Sequence, residues 1–383
     1  MAETLSDRIK RRQITRTRKD IADWKRALNA AEAVTNPRFY LLQDIYSEAM
    51  DDALLSSQVS NRFEVTASAP FELVDNGGNV NDEQTAMLQS FSFIQDLFRH
   101  ILDSELYGYS IVELANRADG TPDITLILRR NIDPVFGRFY PDAYHPSYIE
   151  YREMAEYGKF VLEFNAGHLG ILNKTIPHVL FKKFAQSCWS ELCEIYGIPP
   201  RFIKTNTTDP EMLERAEKMV TDMGAAAGFV IDQTEEFGFA QGASTNGDVY
   251  NNLITLCKQE ISMLICGAII GQDTVNGNYS KEESNKETLD ALIKSDKRMV
   301  EQYMNSVVLP AFRNIGWMPA SDGLKFRFSA VEDTDQLWER MIAVLPYKDV
   351  DSEWMEEKFG IPVKDKQTPD FGMSQNSALS FFV

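Results

Sequence analysis

The chain has 383 residues, of which 44% are apolar. That is enough to bury a sizeable core in two or more lobes, and it excludes a disordered or fibrous protein. The formal charge is −18, from 57 acidic against 39 basic side chains, which argues against a conventional nucleic-acid binder that gains its affinity by neutralising phosphates.

The N-terminal stretch 1–35 departs from this acidity. Through Arg26 it carries nine cationic side chains, among them Arg8, Lys10, Arg11 and Arg12, against four anionic ones. Ile14, Ile21, Trp24 and Leu28 run through it at helical spacing, so it reads as a basic amphipathic arm, either docked on a partner or packed on its own subunit. From Pro37 to Asn61 the pattern is helical, with Phe39, Leu42, Ile45 and Ala49 on one face. Phe63–Ala67 and Phe71–Val74 read as strands, and Asn76-Gly77-Gly78 as a turn. One helix is expected from about Glu83 to Tyr107, then strands at Tyr109–Leu114, Ile124–Arg129 and Phe160–Phe164. Strands that come in runs rather than in strict alternation with helices make this half α+β.

Pro177 to Tyr196 reads as a helix opened by the proline and closed by Gly197, with Phe181, Ala185, Cys188, Leu192 and Ile195 as its apolar stripe. Arg201–Lys204 reads as a short strand. Thr208-Asp209-Pro210-Glu211 then caps a charged helix with Met212, Ala216, Met219 and Met223 on one side, stopped by Gly224. Residues 228–240 look like a strand or hairpin able to pair with the earlier strand. A second long helix is expected from Asp248 to Ile270, amphipathic at Val249, Leu253 and Leu256 and apolar all round from Ile261. The run 271–278 (GQDTVNGN) is too polar and too rich in Gly and Asn for a regular element. Ser280-Lys281-Glu282-Glu283 opens a helix whose period persists through Leu289, Leu292, Met299, Tyr303 and Val307. Pro310 is expected to kink it and Gly316 to end it. Asp335–Tyr347 and Ser352–Phe359 give two short helices before a polar tail. No internal repeat stands out.

The longest apolar run, residues 261–270, is too short to span a bilayer, and the N-terminus lacks a continuous apolar signal region, so a soluble cytoplasmic life and no membrane contact are expected. Cys188 and Cys193 stand five apart and Cys257 and Cys266 nine apart, so neither helical pair can chelate; all four read as buried small hydrophobes. The four histidines show no metal-binding spacing. No phosphate-binding loop, dinucleotide fingerprint, nucleophile elbow or Cys-x-x-Cys occurs. Acidic pairs such as Asp51-Asp52 and Glu235-Glu236 read as solvated surface. No metal, no cofactor and no catalytic residue are expected.

Five segments, in order, carry a resemblance: 41–67 (LLQDIYSEAMDDALLSSQVSNRFEVTA), 102–114 (LDSELYGYSIVEL), 189–201 (WSELCEIYGIPPR), 259–272 (QEISMLICGAIIGQ) and the helix end 296–316. Together the chain resembles the portal proteins of tailed bacteriophages, of the Mu-like type, over roughly residues 36–320. The resemblance implies a closed ring of this chain, usually twelve subunits, at one capsid vertex. It serves genome packaging, head-tail joining and DNA ejection, in the virion and, during assembly, in the host cytoplasm. Implied partners are the terminase motor, the major capsid protein, head-tail adaptor proteins and, non-specifically, double-stranded DNA.

The resemblance also implies a domain plan. After the arm 1–35 come a wing (36–176), a first stem helix (177–198), a β-α-β clip (199–246), a second stem helix (247–270) and a tunnel loop (271–281). A long kinked helix with a return to the wing (282–331) and a helical crown with tail (332–383) complete it. Channel and tunnel-loop candidates are then Thr274, Asn276, Asn278, Lys281, Lys182, Lys183 and Lys258, with the lysines meeting phosphate irrespective of sequence. Clip candidates for partner docking are Glu211, Glu214, Arg215 and Lys218. Twelve copies at −18 apiece would repel DNA on average and let it slide. A cytosolic enzyme with an unrecognised site and a non-ring scaffold or head-tail adaptor remain as alternatives.

Overall fold

Capping chemistry sets the first elements. In the computed structural model, which describes residues 4–9, 20–197, 201–204, 209–221, 236–239, 247–269, 279–329, 334–348 and 350–360, helix α1 (Ile21–Ala31) starts at a capping box. Asp20 accepts from the Asp23 amide, and the Asp23 carboxylate accepts from that of Asp20. Trp24 ties α1 down by donating to Asn173 at 2.9 Å. Ahead of it Leu5 is buried, and the Leu5 and Ser6 amides donate to the carboxylate of Glu113. Of the basic arm, residues 10–19 lie outside the described residues.

Helices α2 (Tyr40–Ala49) and α3 (Ala53–Ala67) are divided at Asp52, whose side chain accepts from the amides of Leu54 and Leu55. The strand expected at Phe63–Ala67 is instead the last turns of α3. Its β-branched Val65 and Thr66 favour a strand locally, but Arg62, Phe63, Thr66 and Ala67 are buried at helical spacing, and tertiary packing overrides propensity. Strand β1 (Phe71–Val74) and the turn after it stand as expected, with the Asp75 carboxylate accepting from the Gly77 and Asn79 amides.

The single helix expected from Glu83 to Tyr107 is two, α4 (Asp82–Gln89) and α5 (Ile94–Tyr107). Between them Phe91 and Phe93 stack at 5.3 Å and pack on Phe312 and Trp317. Burying these rings in one aromatic cluster draws the chain out of the helix.

Strands β2 (Tyr109–Asn116), β3 (Pro122–Leu126), β4 (Ile132–Asp133), β5 (Arg138–Phe139), β6 (Ile149–Glu150) and β7 (Val161–Asn165) build two small antiparallel sheets, ordered β3-β2-β7 and β4-β5-β6. The strand expected to reach Arg129 ends at Leu126, and Arg129 lies in a 3-10 turn. Gly108 (φ +95°) closes α5 and Gly170 (φ +85°) precedes the next helix. The two backbones approach so closely that a Cβ on either would overlap the other segment's main chain.

Helix α6 runs from Ile171 to Gly197, so Pro177 lies inside it and does not open it. The helix absorbs the missing donor near its first turns, and its buried Leu172 and Ile176 hold the extra residues to the core. Strand β8 (Arg201–Lys204) pairs antiparallel with β9 (Glu236–Phe239), with helix α7 (Pro210–Thr221) between them in sequence. Met223, Gly224 and the rest of the expected 228–240 hairpin lie outside the described residues. Helix α8 (Asp248–Cys266) is closed by Gly267 at φ +69°, short of the expected Ile270. Helix α9 (Tyr279–Tyr303) passes through a π turn at Met304–Val308 into α10 (Leu309–Asn314). Pro310 has no amide to donate and would meet the carbonyl four residues back, and the widened turn just before it accommodates this. Gly316 at φ +81° ends the run as expected. Strand β10 (Lys325–Phe328) returns to pair with β1, Phe71 opposite Phe328, and closes a cluster of Phe71, Phe98, Phe326 and Phe328.

These elements form one unit that ends at Phe328, and a second begins at Ser329. In the second, α11 (Thr334–Val344) and α12 (Ser352–Phe359) bring the rings of Trp338 and Trp354 onto Phe359.

Candidate channel-facing surface

The packed helix pair α6–α8 carries three of the sequence-derived candidates, Lys182, Lys183 and Lys258. Buried along the pair are Leu172, Ile176, Val179 and Ala185 of α6 and Ile254, Cys257, Ile261 and Ile265 of α8. Two buried ion pairs fasten the pair to α3 and α9. Lys182 donates to both oxygens of Asp52 at 2.8 Å. Arg62 clamps Asp296 at 2.7 Å through two nitrogens and gives a third hydrogen bond to the Ile265 carbonyl at 2.8 Å. Burial pushes the Asp296 carboxyl up from its ordinary value, and the Arg62 hydrogen bonds pull against it.

This geometry corrects one candidate outright. Lys182 is 5% exposed and committed to Asp52, so it has no free ammonium for a phosphate. Its neighbour Lys183 reaches the surface partially and donates to the Glu48 carbonyl at 3.1 Å. Lys258 is half-buried on α8. Thr274, Asn276 and Asn278 lie outside the described residues, whereas Lys281 belongs to the first turn of α9 and not to the loop. On α7 the inward residues are Met212 and Ala216, and Glu211, Glu214, Arg215 and Lys218 all face solvent, as expected; the Met219 side chain is outside the described set. Asp209 caps that helix by accepting from the Glu211 amide.

The outer faces of α6 and α8 hold what sequence reasoning missed. Phe181 is 46% exposed, Phe184 53%, Leu256 52% and Val249 72%. Phe181 belongs to the apolar stripe that the spacing gives α6, and Val249 and Leu256 to the amphipathic start of α8. With Leu253 and Leu180, the two phenylalanines line an apolar cleft against Ile21 and Ala22 of α1. The motif Phe-Lys-Lys-Phe at 181–184 was the available signal, because two rings three residues apart share a face. Met263, in the segment expected to be buried all round, is also half exposed, and Cys193 is exposed rather than buried. Among the described residues no cluster of His, Cys, Asp or Glu could hold a metal ion, and no helix is long and apolar enough to cross a membrane.

Three solved structures similar to this chain come from gene transfer agent particles. A chain from the neck of an empty particle, computed with C6 symmetry, superposes with a TM-score of 0.56 at 14% identity, covering 88% of this chain and 98% of that one. A chain from the neck of a native particle, computed with C12 symmetry, gives 0.53 at 13% identity, over 90% and 100%. One from the native virion gives 0.50 at 14%, again over 90% and 100%. At such identities these establish the shared fold. No curated protein matches the sequence significantly. The family model described as the portal protein of Mu bacteriophage matches residues 43–361, from α2 through the paired helices to the end of α12, and the chain therefore belongs to the Mu-type family of bacteriophage portal proteins.

Proposed function

We propose that the chain is one subunit of a closed ring, twelve-fold in the virion, that forms the channel at a capsid vertex. Through it the genome is packaged and ejected, and onto it the tail is joined. Family membership carries the channel role, and the C6 and C12 symmetries named for the similar neck chains support closure. The observation that carries assembly is the outer face of α6–α8. An isolated subunit that leaves Phe181, Phe184, Val249 and Leu256 in water exposes a patch of the kind that marks a protein contact.

Within the ring, residues 36–176 would serve as wing, α6 and α8 as stem, 199–246 as clip, and 332–383 as crown and tail. The exposed Glu211, Glu214, Arg215 and Lys218 of α7 are offered to the terminase motor during packaging and to adaptor proteins afterwards. The segment 271–278, with Lys281, Lys258 and Lys183, is offered to the DNA backbone; Lys182 is not. Negative-stain microscopy and mass photometry of the purified full chain test the assembly: rings with a central hole are expected. A chain that stays monomeric at every concentration and salt would refute it and favour the enzyme or adaptor alternatives.

A further inference from the structure

We infer that the small sheet β4-β5-β6 is a contact surface for a second copy of this chain, with Arg138 as the group that takes a carboxylate from that copy. The inference rests on the ring assembly proposed above and names one of its contacts.

Arg138 lies between two rings, its guanidinium carbon 4.6 Å from the centroid of Phe136 and 4.5 Å from that of Tyr148. The stack continues to Tyr140, 5.8 Å from Tyr148, and then to Arg38, 4.4 Å from Tyr140. Arg38 has a structural use, since it donates to the carbonyls of Ala143 and His145 and holds the loop between β5 and β6 against the start of α2. Arg138 has none of this kind. Among the described residues its side chain makes no hydrogen bond and no ion pair; the buried Asp133 stands opposite it in the β4–β5 register, and the charge of Arg138 only partly offsets the burial that raises that carboxyl. Glu150 stands opposite it in the strand register, yet the two form no ion pair.

The apolar side chains around Arg138 are not shed into the core: Val135 is 58% exposed, Phe136 44% and Tyr148 43%. Exposed Tyr and Phe around a preorganised Arg is the composition of an interface hot spot.

Charge selects the occupant. A guanidinium whose faces are covered by rings has only its N–H edge left to offer, and that edge fits a carboxylate bidentately. In a ring built from one chain the neighbour presents a different surface of the same molecule, and that molecule is strongly acidic at −18. Its α9 alone displays Glu283, Glu287 and Asp290, all exposed, on successive turns.

The test uses the full chain with Arg138→Ala, Arg138→Lys and Phe136→Ala, each checked for folding by circular dichroism and melting temperature. Ring population is read against concentration by mass photometry at low and high salt. Arg138→Ala should raise the concentration for half-assembly about ten-fold or more and flatten its salt dependence. Arg138→Lys, which keeps the charge but loses the planar fork, should fall between. Phe136→Ala removes an exposed ring and so stays folded, and it should weaken assembly in the same direction. If wild-type rings form and Arg138→Ala and Phe136→Ala assemble at the wild-type concentration, the inference is overturned and the surface belongs to another protein. If the wild-type chain never assembles, the ring reading falls first and this contact with it.

Discussion

Replacing Arg62 with Ala should be among the most damaging single changes in the first unit. Its guanidinium and the Asp296 carboxylate are only 6% and 4% exposed, joined by two 2.7 Å hydrogen bonds, and a third bond goes to the Ile265 carbonyl. Truncation leaves a carboxylate in the interior without its counter-ion, and breaking a buried pair in this way costs about 3–5 kcal/mol. For a unit ending at Phe328, an unfolding entropy of about 2.1 cal/mol/K per residue gives roughly 0.7 kcal/mol/K, so the melting temperature should drop by about 4–7 °C. Scanning calorimetry across pH adds a second check. Burial already raises the Asp296 carboxyl, and losing Arg62 removes what opposes that rise. A carboxyl whose folded value lies above its unfolded one binds more protons in the folded state between the two, so stability falls as pH rises through that window. The deficit of Arg62→Ala should therefore be greatest at neutral pH and shrink on acidification. The double change Arg62→Met with Asp296→Leu should recover most of the loss, because it leaves no orphaned charge. A single-variant loss below about 1 kcal/mol, or a double variant worse than the single, would refute this account.

Lys182→Met should destabilise by a comparable amount, about 3–5 kcal/mol, since Asp52 is left buried, and it should leave DNA retention unchanged in particles that still assemble; a retention defect at normal melting temperature would return Lys182 to the channel. Acid stability should depend on Glu163. Burial opposes its ionisation, but Arg152 outweighs this and holds the carboxyl below its ordinary value, so its contribution is present above about pH 4.5 and lost as pH falls through the depressed value. Arg152→Ala should then shift acid unfolding to higher pH, measured by fluorescence. Gly170→Ala should cost about 1–3 kcal/mol or more in a urea titration, and Gly170→Asn should do no better, because overlap with the Leu106–Gly108 backbone and not φ alone is the obstacle. Deleting residues 275–278 should leave ring assembly intact and impair packaging or retention of DNA; filled heads with normal genome content would remove this segment from the channel.

Local chemistry was legible in the residues themselves. Gly316 ending the run after the π turn and the bounds of α12 depend on contacts within a few positions, and each stands where its spacing places it; on α7 the observed cap is Asp209, while Thr208 of the expected box lies outside the described residues. The β8–β9 pairing around α7 was also legible, although it joins segments well separated in the chain. Errors arose where distant partners intervened. Phe63–Ala67 is helical because its apolar side chains are buried at helical spacing; α4 and α5 separate because Phe91 and Phe93 join Phe312 and Trp317; and Pro177 is carried inside α6.

For the site the division is sharper. Composition marked 271–278 as polar and irregular and the solvent side of α7 as charged, and the order of segments pointed to the family. Which face of a long helix meets water was not encoded at that range. Lys182 and Lys183 are adjacent and chemically identical, yet only the arrival of Asp52, 130 positions away in the chain, buries the first. Phe181 and Leu256 satisfy helical periodicity as well as any core residue does, but α6 and α8 close through Ala185 and Ile254 instead and leave those two outside. Caps and helix-ending glycines act within a turn, so the sequence alone determined helix ends wherever no distant contact intervened. Burial depends on which elements pack together, and only the tertiary structure decided that.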